Sequence, residues 1–332
     1  MNILTVSPSP HIRSGISTQK IMLAVIAALI PAIIAGTIVF GPRAILMVVL
    51  CAMVSMMTEL VCCVLMKKES TISDGSAMLT GILLALNLPI TLPLWQAAVG
   101  CIFAIAVVKQ LFGGLGCNFA NPAITGRIFL LLSVGNDMTT WAKPFYYTDA
   151  PALGFFESSG SAALDGLTGA TPLASGDAGL LELFLGNVGG SIGETSALAL
   201  LIGGIFLIIT KIISPVTPIS YLGSLAAFTF IKVLVTGGDI IEVPYALLSG
   251  GVILGAFFMA TDYVTTPITA KGKLIFGIGC GILTFVIREF ASMPEGCSFS
   301  ILLMNLLTPY INKFTKTKPI GGKTERRIAN EN

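Results

Sequence analysis

Apolar residues run through this chain in long blocks separated by short polar joints, and the blocks fall into two sets. The first set occupies 21–40, 44–66, 76–92, 95–108 and 122–134; the second occupies 196–210, 219–235, 244–260, 272–287 and 298–310. About 20 apolar residues carry a helix across a bilayer core, so the longer blocks predict transmembrane helices. The shorter ones predict interrupted helices, tolerated where neighbours satisfy the freed backbone groups. Too many blocks lie in series for one soluble core. The expected fold is all-α, a polytopic membrane protein with about ten transmembrane helices. Five helices per set is an odd number, which turns the sets opposite ways and predicts two inverted five-helix repeats.

Internal similarity agrees with a repeat. Gly75 and Gly81 precede an apolar run and a polar break at 87–93; Gly250 and Gly255 precede another run and a break at 261–267. Matched interruptions point to a site at the repeat interface, although the same breaks also read as ordinary loops near span ends. The expected plan is an N-terminal arm (1–20), a first repeat (21–134), a long loop (135–195), a second repeat (196–310) and a basic tail (311–332). The arm is polar and lacks an apolar core, so the first block is expected to be a span and not a removed leader.

Composition strengthens the membrane reading. The chain is 54% hydrophobic and 11% charged, against about 25% charged in soluble domains. The expected surroundings are lipid bilayer, with no nucleic acid. Lys and Arg set orientation. With the N-terminus inside, fifteen of the nineteen basic residues fall on the inner side, among them Lys109, Arg127, Lys211 and the tail. The outer side keeps Arg43, Lys143, Lys232 and Arg288, and residues 133–195 hold seven acidic residues, Glu194 included, against one lysine. Both termini are thus expected in the cytoplasm and the long loop outside, at the inner (cytoplasmic) membrane of the cell. None of the seven cysteines lies in that loop and no pair has C-x-x-C spacing, so they read as small apolar fillers and no metal site is expected.

Two stretches hold candidate chemistry. The long loop contains Asp165-Gly166-Leu167-Thr168-Gly169-Ala170-Thr171-Pro172. These residues also favour a plain surface turn. Before the fifth block stands Gly113-Gly114-Leu115-Gly116-Cys117-Asn118-Phe119-Ala120-Asn121-Pro122-Ala123-Ile124-Thr125-Gly126-Arg127. Pro122 suits a first helical turn, and Asn118 and Asn121 can cap the helix N-terminus. Their amides equally suit the carbonyls of an isoalloxazine ring. No Lys-Ser/Thr follows the glycines, which excludes a P-loop.

Both stretches resemble one family of membrane redox proteins, which comprises the RnfD component of the Rnf complex and the NqrB component of the sodium-pumping NADH:quinone reductase. The pattern Asp165-x-x-Thr168-Gly169-Ala170-Thr171 resembles the family's acceptor site for covalent flavin. The resemblance implies FMN joined through its phosphate to Thr171. A Thr hydroxyl needs activation, and no base lies nearby in sequence, so a separate FAD-dependent flavin transferase is implied as maturation partner. The second stretch resembles a non-covalent riboflavin site, which implies Asn118 and Asn121 as contacts of a second flavin, riboflavin or FMN. The short start, with Ser-Pro-His before Ile12 and Arg13, resembles the Rnf branch. That branch implies as partners the A, B, C, E and G components of the complex, and electron flow between ferredoxin and NAD+ coupled to Na+ or H+ movement. The chain would relay electrons and supply no catalytic residue of its own.

Three function classes stand side by side: a flavin-bearing component of an ion-pumping oxidoreductase, an inverted-repeat solute transporter or channel, and a purely structural membrane component. The acceptor motif favours the first, with the NqrB component of the quinone reductase as its near alternative. Ionisable groups inside spans are functional candidates by default, which singles out Glu59 and Asp262. Thr265 and Thr266 could add oxygen ligands for Na+.

Overall fold

The computed structural model describes residues 17–68, 71–149, 179–291 and 296–317. All ten apolar blocks are helical in whole or in part, and among the described residues no β-strand forms. The first set gives α1 (Thr18–Phe40), α2 (Pro42–Leu65), α3 (Ser76–Leu86), α4 (Leu94–Gln110) and α5 (Pro122–Ser133). The second gives α6 (Ala197–Ile209), α7 (Val216–Thr236), α8 (Glu242–Leu248), α9 (Val252–Met259), α10 (Ala270–Phe290) and α11 (Cys297–Phe314). The last turns of α4, Phe103–Gln110, are wound as a π-helix.

Four helices, α1, α2, α7 and α10, are long and apolar enough to cross a membrane, at 21 to 24 residues each. At 1.5 Å per residue they reach about 32–36 Å, sufficient for a core of about 30 Å. The pair α8 and α9 makes a fifth, broken one, bent by 62°. The chain is a multi-pass membrane protein. Its outward faces are those of a lipid-facing molecule: Ile30, Ile34 and Ile38 of α1 and Met53, Met57 and Val64 of α2 are exposed. Small residues let the helices close on one another. A Cβ at Gly281 of α10 would lie 2.6 Å from the Tyr221 carbonyl oxygen of α7, and one at Gly277, a turn earlier, 2.8 Å from that of Thr217. This is the small-xxx-small spacing of packed membrane helices.

Two blocks depart from the continuous spans expected of them. The block 76–92 stops as helix at Leu86, and 87–93 continues as buried irregular chain. Pro89 and Pro93 account for this, because each lacks an N–H and would clash in a helix interior. The block 244–260 breaks at 249–251, where the Arg288 guanidinium donates to the Ala246 and Ser249 carbonyls at 2.7 and 3.0 Å. A cation at that point satisfies the last carbonyls of α8. The irregular chain at 87–93 meets a second buried stretch around Ser191. Ile192 N–H donates to Leu88 O at 3.2 Å and Gly193 N–H to Leu86 O at 2.7 Å, with an antiparallel bridge between Pro89 and Ser191. Non-helical backbone at membrane depth requires such internal partners. A left-handed glycine precedes both α3 and α9, Gly75 at φ 72° and Gly250 at φ 66°.

Candidate functional site

The broken ends of the two halves meet. Asn87, which ends α3, donates through Nδ2 to Leu83 O at 2.7 Å and to the Sδ of Met259, the last residue of α9, at 3.5 Å. Asn121 starts α5: its Oδ1 accepts from the N–H groups of Ala123 and Ile124 at 3.0 and 3.4 Å. Its Nδ2 donates to Met259 O at 3.2 Å. Asn121 is therefore a helix cap that also holds the end of α9. Arg127, one and a half turns into α5, donates through Nη1 to Asn87 Oδ1 (3.0 Å), Ser298 Oγ (3.1 Å) and Glu194 Oε1 (3.4 Å). Both members of this ion pair are buried. Arg127, counted on the inner side, and Glu194, counted with the long loop, neutralise each other inside the protein, where an unpaired charge would be costly.

Beside this node a cleft opens between the halves. Asn118, Asn121, Lys109, Ser76 and Asp262 give it polar groups, and Leu79, Leu83, Phe257 and Phe258 give it apolar walls. It is open at its mouth, and the space in it that water can reach is about 100 Å³. Asn118 does not cap α5. Its Oδ1 is buried without a hydrogen-bond partner among the described residues. A buried acceptor left so is costly, about 1–3 kcal/mol, and calls for a further donor. Asp262 sits on the loop leaving α9. It is half-buried, and Thr265 Oγ1 donates to its Oδ2 at 3.0 Å. Thr266 Oγ1 donates to the Asp262 carbonyl, so both hydroxyls are engaged with Asp262 itself.

One wall of the cleft leads to a second buried ion pair. Lys109 Nζ lies 2.6 Å from Glu59 Oε1 and 2.8 Å from Ser76 Oγ. The same Glu59 oxygen accepts from Thr71 Oγ1 at 2.7 Å and Gln110 Nε2 at 2.9 Å, while Oε2 has no partner among the described residues. Lys109, counted on the inner side, is no surface charge. The structure buries it at 1% exposure, because the π-wound end of α4 carries it back against α2 and α3.

The family model described as "NQR2, RnfD, RnfE family" matches residues 5–321. The chain belongs to that family. It is 49% identical over 327 residues to the D subunit of the Na(+)-translocating ferredoxin:NAD(+) oxidoreductase complex of Acetobacterium woodii, covering 96% of this chain and 95% of the relative. It is 40% identical over 335 residues to the proton-translocating counterpart of Clostridium ljungdahlii, covering 96% and 97%. The D subunit of the ion-translocating oxidoreductase complex of Stutzerimonas stutzeri is 41% identical over 331 residues, 92% of each chain.

Of the residues that the family resemblance singles out, Asn118 and Asn121 come together at one cleft. Asp165, Thr168, Gly169, Ala170 and Thr171 lie outside the described residues. Lys109, Ser76 and Glu194 join the site without having been expected there. Ser76 carries no signal in the sequence, whereas Lys109 directly follows an apolar block and reads as its flank.

Proposed function

We propose that this chain is the D subunit of an ion-translocating ferredoxin:NAD+ oxidoreductase, an electron relay in a membrane complex with A, B, C, E and G partners. The observation that carries this reading is the near full-length match to D subunits of such complexes, at 49% identity to one of them. Ferredoxin and NAD+ react on partner chains, and this chain passes electrons between them by flavin. FMN is attached through its phosphate to Thr171 by a flavin transferase that uses FAD. A second, non-covalent flavin, riboflavin or FMN, occupies the cleft. The residues present fit such a group: Asn118 Oδ1 is an acceptor awaiting an N–H, and apolar side chains flank the space for a planar ring. Ten crossings in two inverted repeats, with cytoplasmic termini and an external Thr171, complete the arrangement. The relatives are named for Na+ and for protons, and Asp262 and Glu59 are the acidic candidates of this chain for either ion.

The covalent bond is tested by fluorescence of the denatured band. Thr171→Ala abolishes it while the protein stays in the membrane; Thr168→Ala retains labelling. Undiminished fluorescence in Thr171→Ala refutes the attachment site.

A further inference from the structure

Lys109 is a buried ammonium with an incomplete set of partners among the described residues. It has three N–H donors. Glu59 Oε1 and Ser76 Oγ take two, and no described residue accepts the third. The same side chain, with Ser76, forms part of the cleft wall that Asn118 and Asn121 share. The ion pair that anchors Lys109 is lopsided. Glu59 crowds three donors, from Thr71, Lys109 and Gln110, onto Oε1 and leaves Oε2 bare. Glu59 does not itself line the cleft; Lys109 stands between the carboxylate and that space. A ligand in the cleft therefore meets the positive member of the pair first. In a water-poor site of low effective dielectric, a fixed cation beside a group that gains negative charge acts strongly.

We propose that Lys109 is the potential-setting residue of the cleft, and Glu59 its positioning residue. This rests on the reading that the cleft takes a flavin. An electron delivered by a one-electron carrier of a partner chain, an iron–sulfur cluster or another flavin, adds one negative charge to the ring. No bond in the protein forms or breaks. The Lys109 ammonium stabilises that charge and raises the potential at which the ring accepts it. Glu59 holds Lys109 in place and partly neutralises it, so loss of the Glu59 charge raises the potential further. Asn118 and Lys109 together offer an acceptor and a donor, which matches the alternating N–H and carbonyl edge of an isoalloxazine.

The test uses the purified, assembled complex. Acid-extractable flavin is counted per covalent flavin, and the extractable flavin is followed in a spectroelectrochemical titration. Lys109→Met disfavours one-electron reduction at least tenfold, a shift of about 59 mV or more to negative potential for a one-electron couple. Lys109→Arg restores the potential, and Glu59→Gln shifts it the opposite way. Because Lys109→Met leaves a buried carboxylate unpaired and can impair folding, the pair Glu59→Gln with Lys109→Met is measured beside it; it too shifts the potential negative. An unchanged potential in Lys109→Met or the double variant, with the extractable flavin retained, overturns the assignment of Lys109. Absence of extractable flavin from the unmodified complex overturns the cleft reading itself, and the role of Lys109 with it.

Discussion

Asn118 and Asn121 are three residues apart and chemically identical, yet the fold uses them differently. Asn121 has both ends of its amide engaged, in the cap of α5 and on Met259 O. Asn118 lines the cleft, and its buried side-chain oxygen has no partner among the described residues. Asn121→Ala should therefore lower the stability of the solubilised protein by about 1 kcal/mol for the cap alone, with the link to α9 lost in addition. Asn118→Ala should leave thermal stability unchanged or slightly higher in flavin-free protein, since it deletes an unsatisfied acceptor, and should empty the cleft of extractable flavin. Equal stability losses in both variants would contradict the division of roles. Arg127 offers a second test at this scale. Arg127→Met strands Glu194 in the interior and should cost about 3–5 kcal/mol. Adding Glu194→Gln should recover much of that loss, and a double-mutant cycle isolates the coupling. Strictly additive losses would mean that the 3.4 Å pair contributes little.

At the scale of helices, the close approach of α7 and α10 sets a sharp expectation. Gly281→Val puts a side chain where the Tyr221 carbonyl and Ser224 already sit, and overpacking of this sort costs about 1–3 kcal/mol or more. A melting temperature in detergent equal to that of the unmodified protein would show that the helices can part without penalty. The helices themselves were legible from the sequence, because runs of apolar residues and the prolines at 89 and 93 act locally. The blocks 21–40 and 44–66 match α1 and α2 closely, and the helical cap at Asn121 follows from Asn before Pro122. The pairing of buried charges was not legible. Glu59 and Lys109 are 50 positions apart and Arg127 and Glu194 67 apart, and only the packing of α2 on α4, and of 187–196 on α5, brings them together. The bend at 249–251 has a local signal in Ser249-Gly250-Gly251, but the apolar residues on either side made 244–260 read as one span. The loop with Thr171 was readable only as a motif, from residue types that also make ordinary turns.

For the whole molecule, the buried pairs sharpen the argument about orientation. Lys109 and Arg127 are neutralised inside the protein, and Arg43 and Arg288 donate to the Leu92, Ala246 and Ser249 carbonyls. Fifteen basic residues on the expected inner side become thirteen, and four on the outer side become two, Lys143 and Lys232. The imbalance that directs insertion is thus steeper once these four internally engaged side chains, three buried and Arg288 half-buried, are set aside. Two cysteine positions decide the matter. Cys117 is exposed, in the loop between α4 and α5, and the proposed orientation puts it on the cytoplasmic side. A Ser159→Cys variant places a thiol in the long loop, on the opposite side. A membrane-impermeant thiol reagent added to cells with a permeabilised outer barrier and an intact inner membrane should label the Ser159→Cys variant and spare the unmodified chain. Disrupting the membrane should bring in Cys117. The reverse order, with Cys117 labelled first and the engineered cysteine only after disruption, would turn the molecule over and place Thr171 and its flavin on the cytoplasmic face.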